Sequence, residues 1–171
     1  MVRVVELDPV SEPYWDELIA GEREPFGGEG EQLSWRDKTR NIGLRDEDGH
    51  LLAAGGVVLA EVRPTEGPPF RVAGLGGLIV TRRARGRGIA RTLAPHLLAA
   101  AGELGVEHAM IFCRAELMPF YEQFDFRQVR APVWADQPQG PVRMPLATMW
   151  KPLREGVELP DGELRIVGEP F

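Results

Sequence analysis

The most concentrated chemistry in the chain lies in Leu78-Ile79-Val80-Thr81-Arg82-Arg83-Ala84-Arg85-Gly86-Arg87-Gly88-Ile89-Ala90-Arg91. An apolar run enters a glycine-containing turn, and the turn opens a segment with helical spacing. The N–H groups that start a helix have no intrahelical partner and carry the positive end of its dipole, which suits phosphate oxygens. Glycines at 86 and 88 let the backbone approach such a ligand. Arg82, Arg83, Arg85, Arg87 and Arg91 crowd the same place, and guanidinium forks match phosphate geometry. The inferred ligand is a diphosphate. A glycine turn with solvated or ion-paired arginines fits the same letters, because short glycine patterns arise by chance.

A second block, Phe112-Cys113-Arg114-Ala115-Glu116-Leu117-Met118-Pro119-Phe120-Tyr121-Glu122-Gln123-Phe124-Asp125-Phe126, joins an apolar strand to a short helix. By itself, Phe120-Tyr121 reads equally well as a buried aromatic pair. Cys113 reads as a small buried strand residue rather than a nucleophile. His50 follows a turn, His96 sits in a helical stretch and His108 opens an apolar strand. None of the three has a partner at triad or metal spacing in the sequence, so all are read as structural and no metal is expected.

Periodicity and punctuation give the elements that would hold these blocks. Arg3–Leu7 alternates as a strand. Ser11 can cap a helix to about Ala20, and a short helix is expected over Gln32–Thr39. Asn41–Arg45 and Leu51–Val62 form a hairpin about Asp46-Glu47-Asp48-Gly49, with a bulge or close backbone approach at Gly55-Gly56. Phe70–Val80 is a strand. Gly88–Leu104 is a helix interrupted by Pro95, which removes a hydrogen bond or kinks it. Val106–Cys113 is a buried strand and Leu117–Phe124 a short helix. Phe126–Arg130 and Arg143–Trp150 are strands, and the tail 152–171 shows little periodicity. The order implies one α/β (α+β) domain over residues 1–171 with a mixed sheet.

Bulk properties exclude several classes. The 171 residues are 43% hydrophobic and 27% charged, which is ordinary for one globular domain with a real core. The net charge of -6 argues against general nucleic-acid binding and agrees with a cationic small substrate. Cys113 is the lone cysteine, so no intrachain disulfide or thiolate zinc cluster can form. There is no signal-peptide core at the N-terminus, and no apolar run approaches the ~20 residues a bilayer requires. A cytoplasmic protein that avoids the membrane is expected. Trp15, Trp35, Trp134 and Trp150 can line a cleft or a homodimer interface, or simply pack in the core.

The first block resembles the acyl-CoA motif of the GNAT superfamily of N-acetyltransferases, Arg/Gln-x-x-Gly-x-Gly/Ala, here Arg85-Gly86-Arg87-Gly88-Ile89-Ala90. The second resembles that family's later signature, a strand followed by a helix bearing Phe-Tyr, with Asp125 in place of the usual glycine. The resemblance is best from residue 70 to 130, the expected acyl-CoA core. It implies a mostly antiparallel, splayed central sheet flanked by helices, with acetyl-CoA as acyl donor. Backbone groups around Leu78, Ile79 and Val80 would bind the pantetheine arm. Amides of Arg85, Gly86, Arg87, Gly88, Ile89, Ala90 and Arg91 would take the pyrophosphate. Tyr121 would be the general acid beside the sulfur, since a phenol with an ordinary pKa of ~10 is protonated at neutral pH.

The expected reaction is direct attack by a primary amine, of a small molecule, in a ternary complex. The resemblance also implies a glutamate about four residues before Val80, where this chain has Gly74-Leu75-Gly76-Gly77. Glu61, Asp136, the carboxylate of Phe171, or a water chain are the candidates for the missing base. The layout and the tail Glu169-Pro170-Phe171 are loosely similar to the aminoglycoside 2'-N-acetyltransferase branch. Two other readings stay open: a non-catalytic acyl-CoA-binding or regulatory module, and an interaction domain whose glycine turn binds nothing.

Overall fold

The computed structural model describes residues 1–9 and 13–171. Ten strands join in a single mixed sheet: β1 Arg3–Leu7, β2 Arg40–Arg45, β3 Leu51–Pro64, β4 Phe70–Val80, β5 His108–Cys113, β6 Arg127–Gln128, β7 Val133–Ala135, β8 Val142–Arg143, β9 Ala147–Pro152 and β10 Leu164–Val167. The described α-helices are α1 Trp15–Ile19, α2 Ile89–Gly102 and α3 Met118–Glu122, with 3-10 turns at Arg82–Ala84 and Ala115–Leu117. No helix among the described residues is long and apolar enough to cross a membrane.

The main path of the sheet runs β6-β9-β5-β4-β3-β10-β7-β8. Strand β3 is long enough to serve two neighbours on one edge: its first half pairs antiparallel with β2, and Glu61–Pro64 pairs antiparallel with β10. Its other edge pairs with β4 throughout, also antiparallel. Strands β4 and β5 are parallel and are joined by α2 as the crossover, the connection such a pair requires. Alternation along β4 divides the core. Ala73 and Leu75 face the layer that holds α2, with Leu93, Leu97 and Ile111. Val72 faces the opposite layer, with Val58, Met110, Trp150 and Phe171.

The bounds of β1 and β4 agree with the sequence pattern, and α2 and β3 differ from it only at their ends. Other expectations fail for physical reasons. No helix forms over Gln32–Thr39. The Arg36 N–H donates to Pro170 O, and its guanidinium donates to Leu59 O, Val167 O and Glu169 O. Ser34 is bonded in both directions by the Gln137 side-chain amide. Those long-range partners outbid local helical bonds. The expected strand Arg143–Trp150 is broken into β8 and β9 around Pro145, which has no N–H to give a ladder. The tail is not irregular, since Leu164–Val167 adds β10 between β3 and β7. Ser11, expected to cap α1, lies outside the described residues, and α1 itself is a short turn starting at Trp15.

Where the tail folds back, its last residue is fully buried. A Cβ built on Gly74 would clash with the Phe171 ring, 2.6 Å from one Cδ. Gly74→Val should therefore destabilise the protein by at least the about 1–3 kcal/mol typical of overpacking. Urea unfolding is expected to show a lower midpoint with an unchanged slope, and an unchanged midpoint would mean that the tail does not pack on β4.

Candidate active site

Strands β4 and β5 are paired from Val72↔His108 to Leu75↔Ile111 and no further. Beyond that point β4 stays with β3, through Gly76↔Gly56, Ile79↔Ala54 and Val80↔Ala53. Strand β5 stays with β9, through Phe112↔Thr148 and Cys113↔Ala147. The two strands thus part at Gly76, and their facing backbones lose each other as partners. The same stretch of β4 also slips against β3. The register jumps from Ala54↔Ile79 to Gly56↔Gly76, so two β4 residues, Gly77 and Leu78, stand opposite Gly55 alone. The extra residue belongs to β4, opposite the Gly55-Gly56 step where a bulge was expected. Gly77 has φ +61°, a left-handed conformation that glycine adopts without strain. Bulge and parting together take β4 residues 77–78 out of the ladders on both edges.

An apolar slot opens into this parting on the helical layer, walled by Leu75, Leu78, Ala94, Leu97, Tyr121 and Phe126. Gly55 lets α2 come close, because a Cβ there would lie 2.7 Å from a Leu97 Cδ. The tyrosine arrives from α3 and is buried against Phe120 and Phe126. Burial drives its phenol pKa upward, and the neighbouring Cys113 adds to the shift. Tyr121 therefore holds its proton at neutral pH. Cys113 is also buried, and its thiol is pushed up to about 11, first by burial and then by Glu116. It stays a thiol, as expected of a structural strand residue. Asp125 has φ +66°, which explains why the resembling signature has glycine at this point.

The phosphate-type loop follows β4. A short 3-10 turn spans Arg82–Ala84, then Gly86 and Gly88 adopt φ +73° and +76°, and α2 begins at Ile89. Nothing lies within 4 Å of a Cβ built on either glycine, so the loop faces open space. Thr92 makes the first backbone bond of the helix, to Gly88 O, which leaves the preceding N–H groups without helical partners. Arg87 and Arg91 are exposed and form no ion pair with a described residue. The Arg85 side chain is used otherwise: it donates to Val80 O at 3.0 Å and makes a two-pronged bond to Glu22 at 2.9 and 2.7 Å. Arg85 holds the Glu22 carboxyl below its usual pKa. Residues 78 to 91 thus run without a break from the β4 bulge through the open glycine loop into α2, and Tyr121 lines the slot together with Leu78.

The other candidates separate. Glu61 is five residues along β3 from Gly56, about 17 Å at strand rise, and pairs with Arg63 at 3.0 Å. Asp136 accepts the Gly168 N–H at 2.7 Å and Arg165 at 2.7 Å, and these bonds keep its pKa low. Asp136 ties the end of β7 to β10 and the residue after it, whereas Glu61 makes an exposed contact along its own strand. The Phe171 backbone, by contrast, crosses β4 at the parting: a Cβ on Gly76 would lie 2.6 Å from its carbonyl carbon. His108 is buried, with Nε2 2.8 Å from Glu158 O, and His96 is exposed on α2. His50 corrects the sequence reading. It does have neighbours at metal spacing, since donor atoms of Asp46, Asp48 and His50 lie within 4.8 Å of one another in the β2–β3 turn. Asp46 Oδ1 there accepts the N–H groups of Asp48 and His50, which is ordinary turn chemistry.

Sequence reasoning missed Lys38. The chain has only two lysines among its 20 basic residues. Lys38 lies across the Gly56↔Gly76 pair and is mostly buried. The two glycines were the available signal, because they clear space for its stem.

The model of the acetyltransferase (GNAT) family matches residues 7–126. The chain is similar in fold to a GNAT family N-acetyltransferase from Escherichia coli in complex with CoA, with TM-score 0.63 and 19% identity, covering 96% of this chain and 88% of that one. It is similar as well to an acetyltransferase of the GNAT family from Staphylococcus aureus, with TM-score 0.57 and 14% identity, covering 90% and 100%. The ribosomal-protein alanine N-acetyltransferase of Escherichia coli gives TM-score 0.56 and 18% identity over 93% and 100%. No protein of curated function matches the chain in sequence.

Gly88→Val combines a bulky group over the open loop with a φ that a β-branched residue resists. Calorimetric titration is expected to show at least a tenfold loss of acetyl-CoA affinity in this variant. Unchanged affinity would remove the glycine loop from the binding site.

Proposed function

The chain belongs to the acetyltransferase (GNAT) family, and from that premise we propose that it moves the acetyl group of acetyl-CoA to a primary amine of a small molecule, by direct attack in a ternary complex. Acetyl-CoA-dependent acetyl transfer follows from the family. The acceptor class and the roles of individual residues are our reading. The observation that carries them is the parting of β4 from β5 at Gly76, with a buried tyrosine on one side and an open glycine loop at one end.

In this reading the pyrophosphate lies on the amides of Gly86 to Arg91, with Arg87 and Arg91 free to pair with phosphate charge. The pantetheine arm follows β4 along Leu78–Val80, and the thioester enters the slot. A neutral amine attacks the carbonyl carbon. Negative charge gathers on the carbonyl oxygen, where free N–H groups of the Gly77–Leu78 bulge can receive it. Collapse breaks the C–S bond, and the Tyr121 hydroxyl donates to the departing thiolate. A thiol titrates near ~8.5, below an ordinary phenol, so Tyr121 stabilises the thiolate chiefly as a donor and regains any proton from the attacking ammonium. The apolar walls exclude water, which strengthens each of these contacts.

No acid side chain stands on β4 beside the slot, Asp136 is bonded to Gly168 and Arg165, and Glu61 lies far along β3. Water on the acceptor's side of the gap, opposite the apolar slot, is the route that fits for the amine's proton. A non-catalytic acyl-CoA sensor would share the binding groove but release no CoA.

Release of CoA thiol is expected from acetyl-CoA with at least one member of a panel of aminoglycosides, polyamines, amino acids, aryl amines and peptides. Bound acetyl-CoA with no release from any of them would favour the sensor. With a responsive acceptor, Tyr121→Phe should lower kcat by roughly 100-fold, the lower range for acid–base groups, and leave acetyl-CoA affinity within about twofold. Wild-type turnover in this variant would take Tyr121 out of the chemistry.

A further inference from the structure

Residues 36–39 are pinned along β3 in the gap between β2 and β10. Arg36 reaches Leu59 O and Val167 O, and Thr39 N–H donates to Val57 O at 3.1 Å. Between these anchors the Lys38 side chain turns inward over the sheet. A Cβ on Gly56 would lie 2.6 Å from both its Cβ and its Cγ, and a Cβ on Gly76 would lie 2.7 Å from its Cε. The stem therefore occupies a channel that exists only because both members of the cross-strand pair are glycine. Its amine is one bond beyond the Gly76 position, and Gly76 is the first β4 residue past the end of the β4–β5 ladder. The Nζ donates to Arg36 O at 2.8 Å and pairs with no described carboxylate side chain.

We propose that Lys38 is itself an acetyl acceptor, so that the enzyme acetylates its own active-site amine from bound acetyl-CoA. The proposal rests on the acetyl-transfer reading above. The amine sits on the face of the sheet opposite α2, beside Gly76, where the gap in which that reading seats the thioester begins. The neutral Nζ attacks the thioester carbonyl, an N–C bond forms and the C–S bond breaks. The proton lost by nitrogen passes to the CoA thiolate, giving Nε-acetyl-lysine and CoA thiol with no further reactant.

The chemistry of the amine agrees with its position. Burial lowers the Lys38 pKa to about 8, with Asp37 opposing the shift and Arg36 adding to it. The other elements packed against it offer Asn41 of β2, the glycines of β3 and β4 and the Phe171 main chain. At pH 7 about a tenth of such a group is neutral, against well under a hundredth for an ordinary lysine at ~10.4. The carbonyl of Arg36 takes one amine hydrogen and leaves the lone pair available. Once acetylated, the residue fills the channel mouth without charge, which makes the modification a block on incoming amines.

The test uses the full chain, acetyl-CoA and no acceptor, followed by intact-mass and peptide mass spectrometry. Lys151 serves as an internal control, since it is bonded to Phe124 O and lies 3.5 Å from Asp125. One acetyl group is expected on Lys38, at a rate that rises about tenfold per pH unit below pH 8 and levels above it. Lys38→Arg should lose the adduct yet keep its acetyl-CoA affinity, Lys151→Arg should keep the adduct, and Gly88→Val should slow it at least tenfold. Bound acetyl-CoA with Lys38 unmodified between pH 7 and 9, or equal labelling of Lys151, would overturn the proposal alone. Failure of the wild-type chain to bind acetyl-CoA would overturn it together with the reading on which it rests.

Discussion

Two parallel strands that start as neighbours and then separate leave a problem of hydrogen bonding, because each backbone N–H and C=O needs a partner. Here β4 and β5 part after Leu75↔Ile111, and each strand keeps its outer neighbour while the groups that point into the gap lose their ladder partners. Arg85 takes one of them, Val80 O, and the Gly77–Leu78 bulge lies outside the ladders on both edges. Every other feature of the site follows from that wedge. Helix α2 bridges the two strands and brings its N-terminal loop to the top of the gap. Helix α3 returns from the end of β5 and delivers Tyr121 to its side. The apolar residues beneath close the slot to water.

The opposite face of the sheet is shaped by what β4 omits. Glycines at 74 and 76 admit the Phe171 ring, the Phe171 backbone and the Lys38 stem, none of which could lie there over larger residues. Side-chain bulk absent from one strand is thus supplied by two distant segments. Their order depends on Arg36, whose guanidinium joins β3, β10 and the following turn through backbone carbonyls. In the proposed reading, the face that an acceptor approaches is therefore built by tertiary contacts, whereas the face that holds the donor is built by local sequence. One family can in this way keep its acyl donor and change its acceptor.

That division decides how much could be read in advance. The glycine loop, α2 and β4 were legible because their signals are local: glycines at a helix start, apolar spacing, and Pro/Gly punctuation at both ends of a strand. The short helix carrying Phe120-Tyr121 was legible through its resemblance to a family signature, and the structure buries that tyrosine. The strand β10 was not, because Leu164–Val167 is a strand only by virtue of lying between β3 and β7. The expected helix over Gln32–Thr39 failed for the same reason, its polar groups being claimed by residues about a hundred or more positions away. Among the charged candidates, sequence could not tell that Arg85 faces Glu22 or that Asp136 caps a turn at Gly168. Nor did any local pattern distinguish Lys38 from a solvated lysine.

The central claim is that the gap between β4 and β5 receives the acetyl thioester. A crystal structure of the chain with acetyl-CoA tests it most directly. The account predicts pyrophosphate oxygens on the amides of Gly86 to Arg91, a pantetheine arm along Leu78–Val80, and the sulfur beside the Tyr121 hydroxyl at the level of Gly76. Ordered acetyl-CoA elsewhere on the molecule, or strands β4 and β5 zipped together past Ile111 with the cofactor excluded, would contradict it.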